Sequence, residues 1–114
     1  MAEELIYVDY EDGIKRVMNN EKLYVKLLAK FRADTNFDEL EAALAAGDME
    51  KAQPLAHTIK GVAANLSLAE LYKQILELET QIKARQVNPG QITAAKDAFV
   101  ITIQKIDQVI AQNG

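Results

Sequence analysis

The sequence of 114 residues contains no cysteine and only one histidine, His57. The lack of cysteine excludes a disulfide framework and thiolate metal sites, and a single imidazole excludes a multi-histidine metal site within one chain. Five glycines and two prolines are few, so most of the chain can be helical. A chain of this length can bury roughly two-thirds of its unfolded surface, which is enough for one domain without staples.

Long apolar runs and clusters of positive charge are also missing. No run approaches the ~20 residues of a membrane span, and the start Met1-Ala2-Glu3-Glu4 is acidic where a signal peptide is basic. We therefore expect a cytoplasmic protein with no membrane partner. The net charge is −4 with scattered basic residues, which argues against a nucleic-acid partner because such a binder needs a clustered basic face.

Apolar residues recur at steps of three and four, which predicts six helices and no strand. Residues 1–8 are expected to form an extended lead-in, and the break Val87-Asn88-Pro89-Gly90 precedes the sixth helix. Glu39 and Glu70 each stand three residues after a possible cap, the spacing of a capping box. Each of the first five helices is predicted to follow a capping residue: Asp9, Asn20, Asn36, Asp48 and Ser67.

Four helices, the second and the last three, each carry one apolar stripe. An antiparallel up-and-down four-helix bundle buries such stripes against one another, with the short first and third helices as an N-terminal cover and a connector. We therefore predict one all-α domain over residues 1–114, with its fourth helix at about 49–66. It is expected to be monomeric, since no stripe need stay exposed. Met18 and Met49 are expected in the core. A solvated face of mixed charge is expected to carry Glu70, Glu77, Glu79, Lys73, Lys83 and Arg85.

The fourth helix has an unusual outer face. With Ile59 at the centre of the buried face, His57 falls about 160° away. Its neighbours on that face are Pro54 and Gly61, with Ala64 next beyond, whereas an exposed helical face normally carries long charged side chains. Mid-helix glycine costs about 1 kcal/mol of helix stability relative to alanine. The small residues around His57 therefore indicate that another macromolecule comes close to it.

The chemistry open to such a histidine is limited. A neutral ring nitrogen can accept a phosphoryl group, and Lys60, one turn further on, can offset its charge. A convex helix face has no cleft for autonomous catalysis. Phosphoryl transfer usually employs magnesium, and the sequence places no carboxylate cluster beside His57 to hold the ion. We therefore expect magnesium on a partner and no cofactor or metal bound by this chain.

The segment Ala56-His57-Thr58-Ile59-Lys60-Gly61, followed by Leu66, resembles the signature of histidine-containing phosphotransfer (HPt) domains. The likeness extends over most of the chain, through the helix that carries Tyr24 and Phe31 and the leucine-rich helix after the motif. Two positions depart from the pattern: Ile59 replaces a common leucine, and Ser67 stands where the family usually has glycine. The resemblance implies a four-helix bundle that carries phosphate on the histidine.

The resemblance also implies roles for individual residues. His57 would be the phosphoryl site, Lys60 its electrostatic partner and Gly61 the residue that leaves room. The expected protein is a phosphorelay intermediate, not an autonomous kinase. It would take the group from a phosphoaspartyl receiver domain or a hybrid sensor histidine kinase and pass it to a response-regulator aspartate. The expected docking residues are Gln53, Pro54, Gly61 and Ala64, with Asn65 and Lys73 as further candidates for the rim.

One alternative function remains open. A helical module of the same fold could bind a receiver or a kinase without phosphotransfer. The intact set of His57, Lys60 and Gly61 favours the phosphocarrier, since a module that only binds has no need to keep all three.

Overall fold

A computed structural model describes residues 6–113, which form six α-helices and no strand within that range. Their order and bounds are α1 Tyr10–Arg16, α2 Glu21–Arg32, α3 Asn36–Ala45, α4 Met49–Asn65, α5 Ala69–Lys83 and α6 Pro89–Asn113.

The helices pack through the stripes that the sequence shows. α4 lies against α5 and α3, α5 packs on α6, α6 returns to α2, and α1 lies against α2. The predicted antiparallel four-helix bundle is confirmed. α3 also adds to the core, because Phe37 stacks on Phe99 of α6 with ring centroids 4.2 Å apart, and Phe99 meets Phe31 of α2 edge-on. The largest fully buried side chains are Tyr24, Leu28, Leu40, Ile59, Leu68, Leu71, Ile75, Leu78, Ile82, Ile106 and Thr102.

The chain before α1 is held at the junction between α4 and α5. The Glu70 N–H donates to the Ile6 carbonyl at 2.8 Å, and the Asp9 N–H donates to the Ser67 carbonyl at 3.0 Å. Residues 6–9 are neither helix nor strand. Residues 1–5 of the predicted lead-in lie outside the described residues.

Most predicted helix starts are confirmed. The side chains of Asp9, Asn20 and Asp48 each accept a hydrogen bond from the N–H three residues later, at 3.0–3.2 Å. The capping box at Asn36 is wrong, because Asn36 is already the first residue of α3. Its N–H donates to the Asp34 carboxylate at 2.7 Å, since an aspartate two residues earlier reaches that donor locally.

The predicted capping box at Ser67 is wrong as well, because Ser67 lies in the turn that caps the C-terminus of α4 and does not cap α5. Its φ of +57° lies in the left-handed region. Leu68 N–H donates to the Ala63 carbonyl at 2.9 Å and Ser67 N–H to the Ala64 carbonyl at 3.3 Å, the pattern of a Schellman motif. Glycine usually takes this place because a Cβ is disfavoured there. The Ser67 hydroxyl instead donates to the Asp12 carboxylate at 2.5 Å, which fixes α1 to the junction.

Met18 does not lie in the core. It is 91% exposed, whereas Met49 is half-buried and packs against the core as predicted. Met18 and Asn19 follow α1 with φ of 59° and 60°. These two successive left-handed residues turn the chain towards α2, and the turn directs the Met18 side chain into water.

We expect Ser67→Gly to be more stable than Ser67→Ala by about 1 kcal/mol. Both changes remove the hydrogen bond to Asp12, but only glycine relieves the left-handed strain. Urea unfolding of the two variants isolates the backbone effect. Equal stabilities would show that φ at this position is not strained.

We expect Thr102→Val to raise the free energy of unfolding by about 1 kcal/mol. Thr102 is fully buried on α6, and its hydroxyl has no hydrogen-bond partner among residues 6–113. Valine keeps the shape and removes the unsatisfied group. Thermal unfolding measures the change, and Thr102→Ser, which keeps the hydroxyl and loses a methyl group, should be less stable than wild type. A destabilised valine variant would mean that the hydroxyl has a partner in solution.

Candidate functional site

α4 presents the histidine as the sequence predicts. The helix is continuous from Met49 to Asn65 and passes Pro54 without a break. The His57 side chain is 70% exposed. The opposite face of the helix is buried in the core through Ala52, Ala56, Ile59 and Ala63.

The surface around His57 is open. Gln53, Pro54 and Gly61 are exposed and Ala64 is half-buried. A Cβ built at Gly61 would have no atom within 4 Å, so the packing of residues 6–113 does not require glycine there. Glycine at position 61 lowers helix stability, but its missing side chain leaves free space on the outside of the bundle, next to the imidazole. The two further rim candidates, Asn65 on α4 and Lys73 on α5, are exposed as well.

A buried carboxylate lies beside His57. Glu79 of α5 is only 2% exposed, and its Oε2 is 3.3 Å from His57 Nδ1. Its Oε1 is 2.6 Å from Lys60 Nζ, and Lys83 Nζ is 3.7 Å from Oε2. One carboxylate thus holds the imidazole and two lysines, and it joins α4 to α5.

The prediction that Glu79 belongs to a solvated face is wrong. Glu79 stands four residues after Ile75 and three before Ile82, so it falls within about 60° of the apolar stripe of α5. That spacing was a readable signal of burial. The other carboxylates of the predicted face differ, since Glu77 is exposed and Glu70 is half-buried. Its three basic residues, Lys73, Lys83 and Arg85, are exposed as predicted.

The surroundings of Glu79 keep it ionised. Burial alone raises the pKa of this carboxyl. The hydrogen bond and charge of Lys60 outweigh that effect, together with the charge of Lys83 and the hydrogen bond from His57, so the pKa lies below its usual value of 4.5. At neutral pH Glu79 is therefore a carboxylate, which only accepts hydrogen bonds.

This carboxylate selects one tautomer of the neutral imidazole. Because Glu79 can only accept, His57 Nδ1 carries the proton and donates it to Oε2. The lone pair then resides on Nε2, on the other side of the ring. The arrangement orients a nucleophilic nitrogen that a phosphoryl donor can approach from outside α4.

Lys60 lies at the flank of the site, as its place on the helix predicts. Its side chain is 20% exposed and its Nζ is bonded to Glu79. Lys60 is therefore close to the imidazole but already engaged.

Within residues 6–113, no three histidine or acidic side chains come together in a group that could hold a metal ion. No helix formed by these residues has the length and the apolar character needed to cross a membrane.

We expect Glu79→Gln to lower the free energy of unfolding by about 2 kcal/mol at pH 7 and by progressively less below pH 4. The folded-state pKa of Glu79 is lowered, so its contribution is complete above the unfolded value and is lost as the pH falls through the folded one. Urea unfolding of both proteins from pH 7 to pH 3 measures the difference. Glu77→Gln, an exposed change on the same helix, should follow wild type at every pH. A pH-independent difference for Glu79→Gln would contradict the ionised, stabilised carboxylate.

Comparison with models of protein families found a match. A family model described as the Hpt domain matches residues 27–112, a range that covers most of the chain and contains His57, Lys60, Gly61 and Glu79. Comparison with curated proteins and with solved structures found no match. Hpt domains serve in histidine phosphotransfer in two-component systems, as phosphocarriers and not as kinases, and they interact with receiver domains and kinases. Because the match spans well over half of the sequence, this chain belongs to the Hpt domain family.

Proposed function

We propose that this chain is a phosphorelay intermediate that carries the phosphoryl group on His57. It accepts the group from a phosphoaspartyl receiver domain or from a sensor histidine kinase and passes it to the aspartate of a response-regulator receiver. The observation that carries the proposal is the single imidazole of the chain, exposed on α4 with its Nδ1 held by buried Glu79. We further propose that residues 1–114 form one domain, which is monomeric and acts in the cytoplasm.

The transfer step follows from the orientation of the ring. The Nε2 lone pair attacks phosphorus, an N–P bond forms, and the P–O bond to the donor aspartate breaks with its electron pair going to the departing carboxylate. The Nδ1 proton stays on the ring, and the Glu79 carboxylate balances the positive charge that develops on the imidazole. Transfer to the next receiver is the same displacement in reverse.

The remaining charge is shared between this chain and its partner. Lys60 compensates the negative charge of the phosphoryl group. Magnesium, when bound in the acidic site of the receiver, neutralises the transferring oxygens, and we propose no cofactor or metal on this chain.

The docking surface surrounds His57. It comprises Gln53, Pro54, Gly61 and Ala64 of α4, with Asn65 and Lys73 at its rim. Leu76, 41% exposed and three residues before Glu79, adds an apolar side chain from α5. A small-residue surface with one apolar neighbour suits the close approach of a folded partner.

We expect His57→Gln to abolish phosphate uptake and to change the free energy of unfolding by no more than about 0.5 kcal/mol. The position is exposed, and the chain has no second imidazole. A panel of phosphorylated receiver domains bearing labelled phosphate tests this on gels, with circular dichroism to check the fold. The wild-type label should be acid-labile and base-stable, as a phosphoramidate is. Label on a folded His57→Gln protein, or none on wild type from any receiver, would leave the binding module as the better description.

We expect Gly61→Arg to fold and to transfer at least about tenfold more slowly than wild type. Arginine is a better helix former than glycine, and its side chain has open space on the face that the partner must approach. Gly61→Ala is the matched control, with greater helix stability and little added bulk, so it should transfer nearly as wild type does. Transfer from a phosphorylated receiver measures both. Wild-type transfer by the arginine variant would show that partners do not approach over Gly61.

A further inference from the structure

Three side chains contact the Glu79 carboxylate at different distances. Lys60 Nζ lies 2.6 Å from Oε1. His57 Nδ1 and Lys83 Nζ both lie near Oε2, at 3.3 Å and 3.7 Å. The Lys60 side chain is 20% exposed and that of Lys83 is 55% exposed. Lys60 is thus the close partner of the carboxylate, and Lys83 is a looser one that reaches it from solvent.

Phosphorylation of His57 changes what this cluster has to balance. A phosphoryl group brings nearly two negative charges at neutral pH. On Nε2 it lies on the side of the ring opposite to Glu79, whereas Lys60 is bonded to Glu79. A short contact with the phosphoryl oxygens draws Lys60 Nζ towards that side of the ring and away from Glu79. A buried carboxylate that loses its close cation is strongly destabilised unless another replaces it.

Lys83 is placed to be that replacement. It follows Glu79 by four residues on α5, the spacing and order that favour a glutamate–lysine pair on a helix. Its half-exposed side chain can move by rotation alone, and its Nζ is already near Oε2. We propose, on the basis of the proposed function, that phosphorylation of His57 transfers Lys60 from Glu79 to the phosphoryl group while Lys83 closes on Glu79. Lys83 is then a positioning residue that acts through Glu79 and does not touch the phosphoryl group.

The exchange has a consequence in the unphosphorylated protein. If either lysine can form the ion pair with Glu79, a single substitution leaves one cation on the carboxylate. This applies to Lys60→Met and to Lys83→Met. The double variant leaves none, so its melting temperature should fall by more than the sum of the two single shifts. In a Glu79→Gln background this excess should vanish, because a neutral amide needs no cation. Additive shifts with Glu79 intact would overturn the exchange.

The second measurement is phosphate uptake from phosphoramidate, which needs no partner protein. The His57 Nε2 attacks phosphorus, an N–P bond to the ring forms, the P–NH₂ bond breaks, and the amine leaves as ammonia after taking a proton from water. The growth of the phosphohistidine signal in ³¹P NMR gives the rate. Lys83→Met should slow uptake by about fivefold, because Lys60 is then retained on Glu79.

The variants separate this indirect role from a direct one. Lys83→Met should have no further effect on uptake in a Lys60→Met background or in a Glu79→Gln background, and Lys83→Arg should restore most of the rate. Lys105→Met is the control for loss of charge, since Lys105 is exposed on α6 and is not among the ion-pair partners of Glu79. It should react as wild type does.

Each contrary result has its own meaning. Slowing that persists in Glu79→Gln would mean that Lys83 acts on the phosphoryl group itself, which overturns the exchange. Faster uptake by Lys83→Met would mean that Lys83 only weakens the His57–Glu79 hydrogen bond, which overturns it too. If wild type takes up phosphate and the Lys83 variants do so at the same rate, the exchange is contradicted and the proposed function is not. A wild type that takes no phosphate from phosphoramidate or from any receiver contradicts the proposed function, and the exchange with it.

Discussion

The ionised carboxylate of Glu79, buried between α4 and α5, is the interaction on which the site depends. It is bonded to Lys60 and to the Nδ1 of His57, so it fixes the ring, its tautomer and the nearest cation at once. Replacing a whole buried ion pair by apolar groups can leave stability unchanged, because desolvation offsets most of the attraction, whereas removing one partner leaves an unpaired charge and is costly. Its value here is the single arrangement that it imposes on three side chains from two helices.

That arrangement requires α5 to lie in one register against α4, and the junction between the helices sets the register. The left-handed Ser67 turns the chain back, and its hydroxyl is bound by Asp12 of α1. The Tyr24 hydroxyl of α2 donates to the Leu66 carbonyl at 2.6 Å within the core. α1 and α2 therefore support the site from a distance, by holding the turn from which α5 starts.

The two faces of α4 divide stability from recognition. Its inner face of alanines and Ile59 packs into the core, where burial of apolar surface stabilises the bundle. Its outer face gives up helix propensity at Gly61, where no packing contact makes up for it. A convex surface with one oriented imidazole can present a nucleophile, but the rest of a phosphoryl-transfer site must come from a partner.

The amino-acid sequence alone predicts the helices, their apolar stripes, the exposure of His57 and the open face around it. These properties depend on spacing along one helix, and 3.6 residues per turn is the same in any context. The sequence also contains the family signature at His57, Lys60 and Gly61. The capping predictions at Asn36 and Ser67 are wrong because other groups form the hydrogen bonds there. The Asp34 carboxylate accepts from the Asn36 N–H, and the Asp12 carboxylate accepts from the Ser67 hydroxyl. The contact of Glu79 with His57 and Lys60 is visible only in the folded chain, because a contact between His57 and Glu79, 22 positions apart, depends on how two helices pack and not on the pattern within either.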